Sequence, residues 1–513
     1  MAMGGTQAAL DAALVAADPW SALSELGAAG PPDLIEVAEA RYATAKPARR
    51  RQLSWLLRYL GEPAGPALLR LLAGHAGDDA HDLLRTAVQL GLRVPAELLW
   101  RLERDLGPAE PVLHAMGLSG DAGFGDYLGR QLDTPGKQGP AAIALGRLGD
   151  RRWTVPIAER LPGVAGLAHT AFVVALELLG DPAAVPYLVR LLKEVEAPGD
   201  VQHALIRLTG RDPLTPLWTG PSRTYQEALW RSWSQVDPAT RAEPEIRGLT
   251  VESARRARFE LHEGRGRIRV DYDPPSPGST WPRWDKSLLV DGSPLYRVST
   301  DCGTCETTMR LLGWPERVAA ATADRLRIAL STVDSLADGV LAALTPLAQE
   351  LPTGHYRGYL VDLPVERVRE PARSWWVRRW AFREGAEMGE EDWPGVEHFQ
   401  LPEPVPGPMP TFGALLPGQP LAALDPDTVA RYRKAVEAGA RPAAVVLGWV
   451  EDVYVEAEHE ERFLVGVALD GHHKLAAYAE AGVPARVVLL ARGEDNPRTW
   501  RDGFEAVLGQ FSG

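Results

Sequence analysis

Residues 1 to about 240 carry apolar side chains three and four positions apart, with short polar breaks between the runs, which predicts a series of helices. One phrase repeats inside this stretch. Ala115-Met116-Gly117-Leu118-Ser119-Gly120-Asp121 is followed by Ala144-Leu145-Gly146-Arg147-Leu148-Gly149-Asp150 and by Ala175-Leu176-Glu177-Leu178-Leu179-Gly180-Asp181. A weaker copy runs over 204–212. The Gly-Asp pairs recur at roughly 30-residue intervals, the mark of a structural repeat. Each Gly suits a left-handed helix end, and each Asp suits the cap of the next element. Two short helices cannot bury their apolar faces alone, so neighbours are expected to stack. Residues 50–110 look like earlier, degenerate copies, and Trp230 and Trp233 are expected to close the stack.

The pattern changes near 240–254. Residues 256–261 and 267–272 alternate as strands do, with Glu263-Gly264-Arg265-Gly266 as the expected hairpin turn. Two helices are expected over 316–330 and 333–350, and a strand over 355–362. Residues 364–411, crowded with Pro, Trp, Glu and Arg, read as an irregular connection. From Leu421 onward an α/β pattern returns. Asp425-Pro426-Asp427 opens a helix that Gly439 ends, and 443–449 is an apolar strand. Residues 456–462 read as an acidic loop, followed by strands at 463–469 and 485–491 and a helix over 499–511.

Composition narrows the classes. A chain of 513 residues exceeds one core, and 45% hydrophobic with 24% charged residues is ordinary for a globular protein. Net charge of −13 argues against non-specific nucleic-acid binding, which needs a basic face. No basic segment followed by an apolar core marks a signal peptide, and no run reaches the length of a membrane span. Two cysteines fit a reducing cytoplasm better than a disulfide framework.

The chemistry concentrates at Asp470-Gly471-His472-His473-Lys474, between an apolar strand and an Ala-rich helix. A strand, a tight Asp-Gly turn and a helix start make an anion cradle, because the first helical N–H groups lack partners and sit at the positive dipole end. Asp470 is also a hard oxygen ligand suited to Mg²⁺ beside phosphates.

Two resemblances follow from these residues. The repeats over 1–240, clearest at 175–192, resemble HEAT-type repeats, which implies an N-terminal α-solenoid able to hold a partner protein. The order of helix, Gly439-Ala440-Arg441-Pro442, two strands, the Asp470–Lys474 motif, helix, Gly482 and strand resembles the ParB/sulfiredoxin-like fold over about 412–492. That group binds nucleotides, and its free serine kinases carry D-G-H-H-R at this place, with Lys474 here standing for the Arg. The resemblance implies ATP, ADP or CTP with Mg²⁺, held by Gly471, His472, His473, Lys474 and Arg441, with Asp470, His472 and His473 as catalytic candidates. Two departures stand out. The reactive Cys of sulfiredoxins is absent, and the stretch around Gln419 lacks the acidic residue of the kinases.

The expected architecture is therefore multidomain α and α+β. It comprises a HEAT-like solenoid over 1–240, an α+β middle region over 250–411 and a ParB/sulfiredoxin-like α/β domain over 412–513. The expected function is phosphate transfer to, or activation of, a small molecule, possibly amino-acid-like. The alternative is a nucleotide-dependent switch whose solenoid binds a protein. Cys302 and Cys305 form a C-x-x-C unit, read as a turn, half of a zinc site or a redox pair. The zinc reading takes its further ligands from His262, His355 or His398. Trp281, Trp284, Trp375, Trp376, Trp380 and Trp393 either pin long loops or stack a planar substrate.

Overall fold

A computed structural model of the chain describes residues 3–194, 198–217, 223–237, 240, 242–272, 286–298, 309–314, 326, 328–337, 339–378, 393–406, 410–456, 459–495 and 503–509. The chain divides into two compact units. One holds Met1–Gly210, and the other holds Arg211–Asp273 and Trp284–Gly513.

The first unit is helical. Helices Pro47–Tyr59, Gly77–Gln89, Glu110–Ser119, Gln138–Leu148, Leu167–Leu179 and Gly199–Thr209 pack each against the next in that order. The turns follow the repeated phrase. Gly120, Gly149 and Gly180 end their helices with φ of 72°, 72° and 59°. Asp121, Asp150 and Asp181 then accept hydrogen bonds from Gly123, Arg152 and Ala183 N–H, capping a 3-10 turn before the next helix. The third position of the phrase sets the spacing between layers. A Cβ on Gly117 would lie 2.6 Å from Ala144 Cα, and one on Gly146 would lie 2.9 Å from Ala175 Cα. Glu177 holds this position in the next layer and instead pairs with His203 and Arg207 at 3.4 and 3.6 Å. The helix Arg223–Ser234, with Trp230 and Trp233, belongs to the second unit rather than to the helical one.

The second unit is built on a nine-stranded mixed sheet among the described residues, in the order β1-β2-β7-β13-β11-β12-β10-β9-β8. These are β1 (Glu245–Ser253), β2 (Arg256–Arg265), β7 (Pro352–Leu363), β8 (Glu366–Val368), β9 (His398–Gln400), β10 (Thr411–Pro417), β11 (Ala444–Glu456), β12 (His459–Asp470) and β13 (Ala485–Arg492). A smaller sheet joins β3 (Ile268–Tyr272), β4 (Lys286–Val290), β5 (Ser293–Val298) and β6 (Arg310–Leu311) in chain order. Alternation along the strands divides the core. Val445 and Leu447 enter one apolar cluster with Phe259, Tyr356 and Leu490. Ala444 and Val446 enter the other with Tyr359, Val361 and the helix residues Leu475 to Tyr478.

Several expectations change here. β2 and β3 are strands, but they do not form a hairpin. β2 lies between β1 and β7, while β3 pairs with β4. The turn residues continue β2 as far as Arg265, with Glu263 at φ 51°. The helix expected over 333–350 is shorter, Val340–Ala348, and starts after Gly339 at φ 86°. The acidic stretch extends the β11–β12 pairing out to Glu456 and His459 rather than forming a loop. The connection 364–411 contributes β8 and β9, and β10 is a fully buried strand that helical or alternating spacing does not reveal. Strands from the middle stretch therefore flank those of 412–513 on both sides within one sheet.

Candidate functional site

β10 and β12 are parallel, with Pro417 opposite Ala468, so both chains leave the sheet at the same end. Openings at the carboxyl ends of parallel strands are the usual ligand sites of open α/β sheets. After β12 the chain turns at Gly471, whose φ of 90° is a left-handed conformation. A Cβ there would lie 2.8 Å from Ala444 Cα, so backbone angle and space both require glycine. Helix His472–Ala481 starts at once, with no side chain capping its first N–H groups. Leu475 N–H is the first to bond back, to Gly471 O at 2.9 Å. The N–H groups of 472–474 thus form the positive end of the helix.

The two histidines turn in different directions, and both act on the loop that follows β10. His472 Nε2 accepts from Gly418 N–H at 2.9 Å, and His473 Nε2 accepts from Asp425 N–H at 3.1 Å. Adjacent imidazoles therefore staple the two ends of loop 418–425 over the helix start. A nitrogen that accepts from a backbone N–H carries no proton, so the neutral rings hold theirs on Nδ1. His472 is buried, and that burial depresses its pKa to about 4. Burial also lowers His473, with Asp425 opposing the shift. Asp425 in turn caps helix Pro426–Glu437 by accepting from Thr428 N–H at 3.0 Å.

Lys474 is buried, and its Nζ donates to Ala443 O at 2.8 Å and to Asp470 Oδ2 at 3.4 Å. Burial lowers its pKa, and Asp470 works against that. The ammonium thus ties the motif to the start of β11 instead of standing free at the helix start. The Asp470 side chain keeps 35% exposure and is the partly solvated carboxylate of the motif. Arg441 is two residues before Ala443, but its side chain is bonded to the backbone and not to the motif. Its guanidinium bonds Ala440 O at 3.0 Å, past the C-terminal end of helix Pro426–Glu437.

The site thus brings together Asp470, Gly471, His472, His473 and Lys474, and leaves Arg441 out. It adds Gly418 and Asp425. The Pro417-Gly418-Gln419-Pro420 sequence signals a turn there, but nothing in it indicates histidine partners some fifty positions away. It also adds Tyr296 of β5, whose hydroxyl donates to Pro417 O at 2.8 Å, a contact with no sequence signal.

Cys302 and Cys305 lie outside the described residues, as do Trp281, Trp284 and Trp380. The histidines considered with the cysteines have other partners. His262 meets Glu260 at 3.2 Å, His355 meets Glu494 at 2.8 Å, and buried His398 meets Ser374 at 3.4 Å. Among the described residues no group of three or more His, Cys, Asp or Glu side chains is placed to hold a metal ion. Trp375 and Trp376 are core residues. Trp375 Nε1 donates to Leu401 O at 2.6 Å, and Trp376 stacks on Phe463 with centroids 4.4 Å apart. Trp393 packs beside His398 at 5.3 Å.

No family model and no curated protein matches this chain. No helix among the described residues is long and apolar enough to cross a membrane.

Proposed function

We propose that the start of helix His472–Ala481 binds the phosphates of a nucleotide, ATP, ADP or CTP with Mg²⁺, and that the chain there transfers phosphate to, or activates, a small molecule. One observation carries the reading. Both imidazoles spend Nε2 on the ends of loop 418–425, while the helix start keeps its N–H groups without a side-chain cap. Phosphate oxygens are the ligand such a start takes best, since uncapped N–H groups and the dipole act together. Protons on Nδ1 give His472 and His473 a further donor each. Asp470 is the carboxylate to hold Mg²⁺ or to accept an acceptor hydroxyl's proton. The resemblance to ParB/sulfiredoxin-like domains points the same way.

A second reading is a nucleotide-dependent switch, in which HEAT-like repeats within Met1–Gly210 bind a partner protein. The engagement of Lys474 with Ala443 O favours it, because that ammonium is committed to the fold rather than to a transferring phosphate.

Amide chemical-shift mapping and thermal shift with ATP, ADP and CTP, each with Mg²⁺, test the common step. Selective movement of the 471–475 amides is expected, and no response to any nucleotide or to inorganic phosphate sinks the site. Product release that Asp470→Asn abolishes supports the enzyme. Tight binding with no product from any candidate acceptor supports the switch.

A further inference from the structure

We infer that Tyr296 is a positioning residue for this site: by holding the Pro417 carbonyl it fixes one peptide unit, and that peptide dictates which nitrogen of His472 carries the proton. The Pro417 carbonyl and the Gly418 N–H belong to the same peptide. Tyr296 donates to the carbonyl at 2.8 Å, and the N–H donates to His472 Nε2 at 2.9 Å. A trans peptide is planar, with its C=O and N–H pointing in opposite directions. A hydroxyl gripping one end therefore aims the other.

The alternative orientation has a definite chemical consequence. Were the peptide turned over, the Pro417 carbonyl would face His472 Nε2. A carbonyl only accepts, so the neutral ring would have to move its proton from Nδ1 to Nε2. The Nδ1 donor would then be lost. The two peptide orientations thus correspond to two imidazole tautomers, and Tyr296 selects between them.

The surroundings leave little slack. Tyr296 is fully buried on β5, so its hydroxyl needs an internal partner. Pro417 is buried and closes β10 in register with Ala468. A Cβ on Gly418 would lie 3.0 Å from Ala468 O, so the peptide sits tightly against β12 and a larger residue must displace it. His472 itself is buried under the loop. Tyr296 is a core aromatic of the smaller sheet, yet its polar atom reaches the turn that the motif holds from the other side.

The tautomer stands independently of any ligand; only the affinity consequence rests on the phosphate-site reading. The experiment is a long-range ¹H–¹⁵N spectrum of the full chain at pH 7, with His472 assigned by the signal lost in His472→Gln. The wild type is expected to show His472 protonated at Nδ1 alone. Tyr296→Phe keeps the ring and removes the donor, and should introduce a measurable Nε2-protonated population. Inorganic phosphate and ATP should then bind more weakly in step with that population, reaching a loss of about five- to tenfold, the worth of one such hydrogen bond, only where the Nε2-protonated form becomes roughly 80–90% of the total. Gly418→Ala displaces the same peptide with Tyr296 intact, and should change the tautomer likewise if Tyr296→Phe does not fold. Nε2 protonation in the wild type overturns the inference, as does an unchanged His472 spectrum in the folded variants. Failure of the wild type to bind phosphate or nucleotide overturns the proposed function and leaves the tautomer result to decide this one.

Discussion

His472 loses more than a ring when it is truncated, because Gly418 N–H loses its acceptor at a partly buried position. An unsatisfied donor costs ~1–3 kcal/mol, and the buried ring leaves a void as well. His472→Ala should therefore lower unfolding stability in urea by about 2–4 kcal/mol. His473 is half-exposed, and water can replace it at Asp425 N–H, so His473→Ala should cost about 1 kcal/mol or less. The pH dependence has a definite sign. Burial holds folded His472 near a pKa of about 4, against an ordinary 6.5. Above pH 6.5 neither state is protonated. As pH falls from 6.5 towards 4 the unfolded state takes up a proton that the folded state refuses, and stability is lost, by on the order of 3 kcal/mol in all. Asp212 opposes this slope. Burial raises its carboxyl from 3.8 to about 7, so its contribution is full below pH 3.8 and is lost as pH rises from there to about 7. Buried His398, also held near a pKa of about 4, adds a slope of the same sign as His472, so the wild-type curve mixes several groups. His472→Gln retains an acceptor for Gly418 and does not titrate, so the stability difference from wild type isolates the imidazole. That difference should shift steadily against the wild type between pH 6.5 and 4 in urea titrations.

Elements were legible where the local chain dictates them and illegible where a distant partner does. The Gly-Asp pairs name their own conformations: a left-handed helix end at Gly149, then an Asp150 carboxylate on Arg152 N–H. Residues 256–272 show the limit. Alternation identifies β2 and β3 as strands, but their partners, β7 and β4, are set by packing that the local pattern does not encode. β10 was hidden because both its faces are buried, which erases alternation, and because Pro410 and Pro417 bracket it. At the site, the Asp-Gly turn and helix start could be read from the motif, whereas the atoms its side chains hold could not. The helical layers offer a direct test. Alanine normally strengthens a helix over glycine by about 1 kcal/mol. At Gly117 its Cβ would lie 2.6 Å from Ala144 Cα and must push a neighbouring layer away. Gly117→Ala should lower the helical unit's stability by about 1–3 kcal/mol despite the better propensity. Gly74 closes its helix at an open position, where an added Cβ would meet nothing within 4 Å. Gly74→Ala should leave stability unchanged or raise it by up to about 1 kcal/mol. Circular-dichroism melts of the two variants should therefore diverge, with Gly117→Ala melting below the wild type and Gly74→Ala at or above it.

At the scale of the molecule, the sheet rather than the motif defines the folding unit. The pattern that marks 412–513 as an α/β stretch is sound along the chain, since β10 to β13 and the two helices over them all fall there. The sheet order shows what those strands lean on. β13 is bonded along Ala485 to Arg492 by β7, and β10 is bonded by β9, both from before residue 411. Cutting the chain at 412 would strip β7 and β9 away and expose two buried edges, each a row of unpaired backbone groups. It would also remove Tyr296 from Pro417, and Tyr356, Phe259 and Leu360 from the apolar cluster shared with Val488 and Leu490. A fragment of 412–513 should therefore aggregate or give a poorly dispersed amide spectrum, although it contains every residue of the Asp470–Lys474 motif. A fragment of 211–513 retains both sheets and should unfold cooperatively in urea. If the short fragment folds and binds nucleotide alone, the flanking strands are accessory and the site is autonomous. If only the longer one does, the phosphate site is a property of the whole sheet, and substitutions in β7 or β9 should weaken binding without touching the motif.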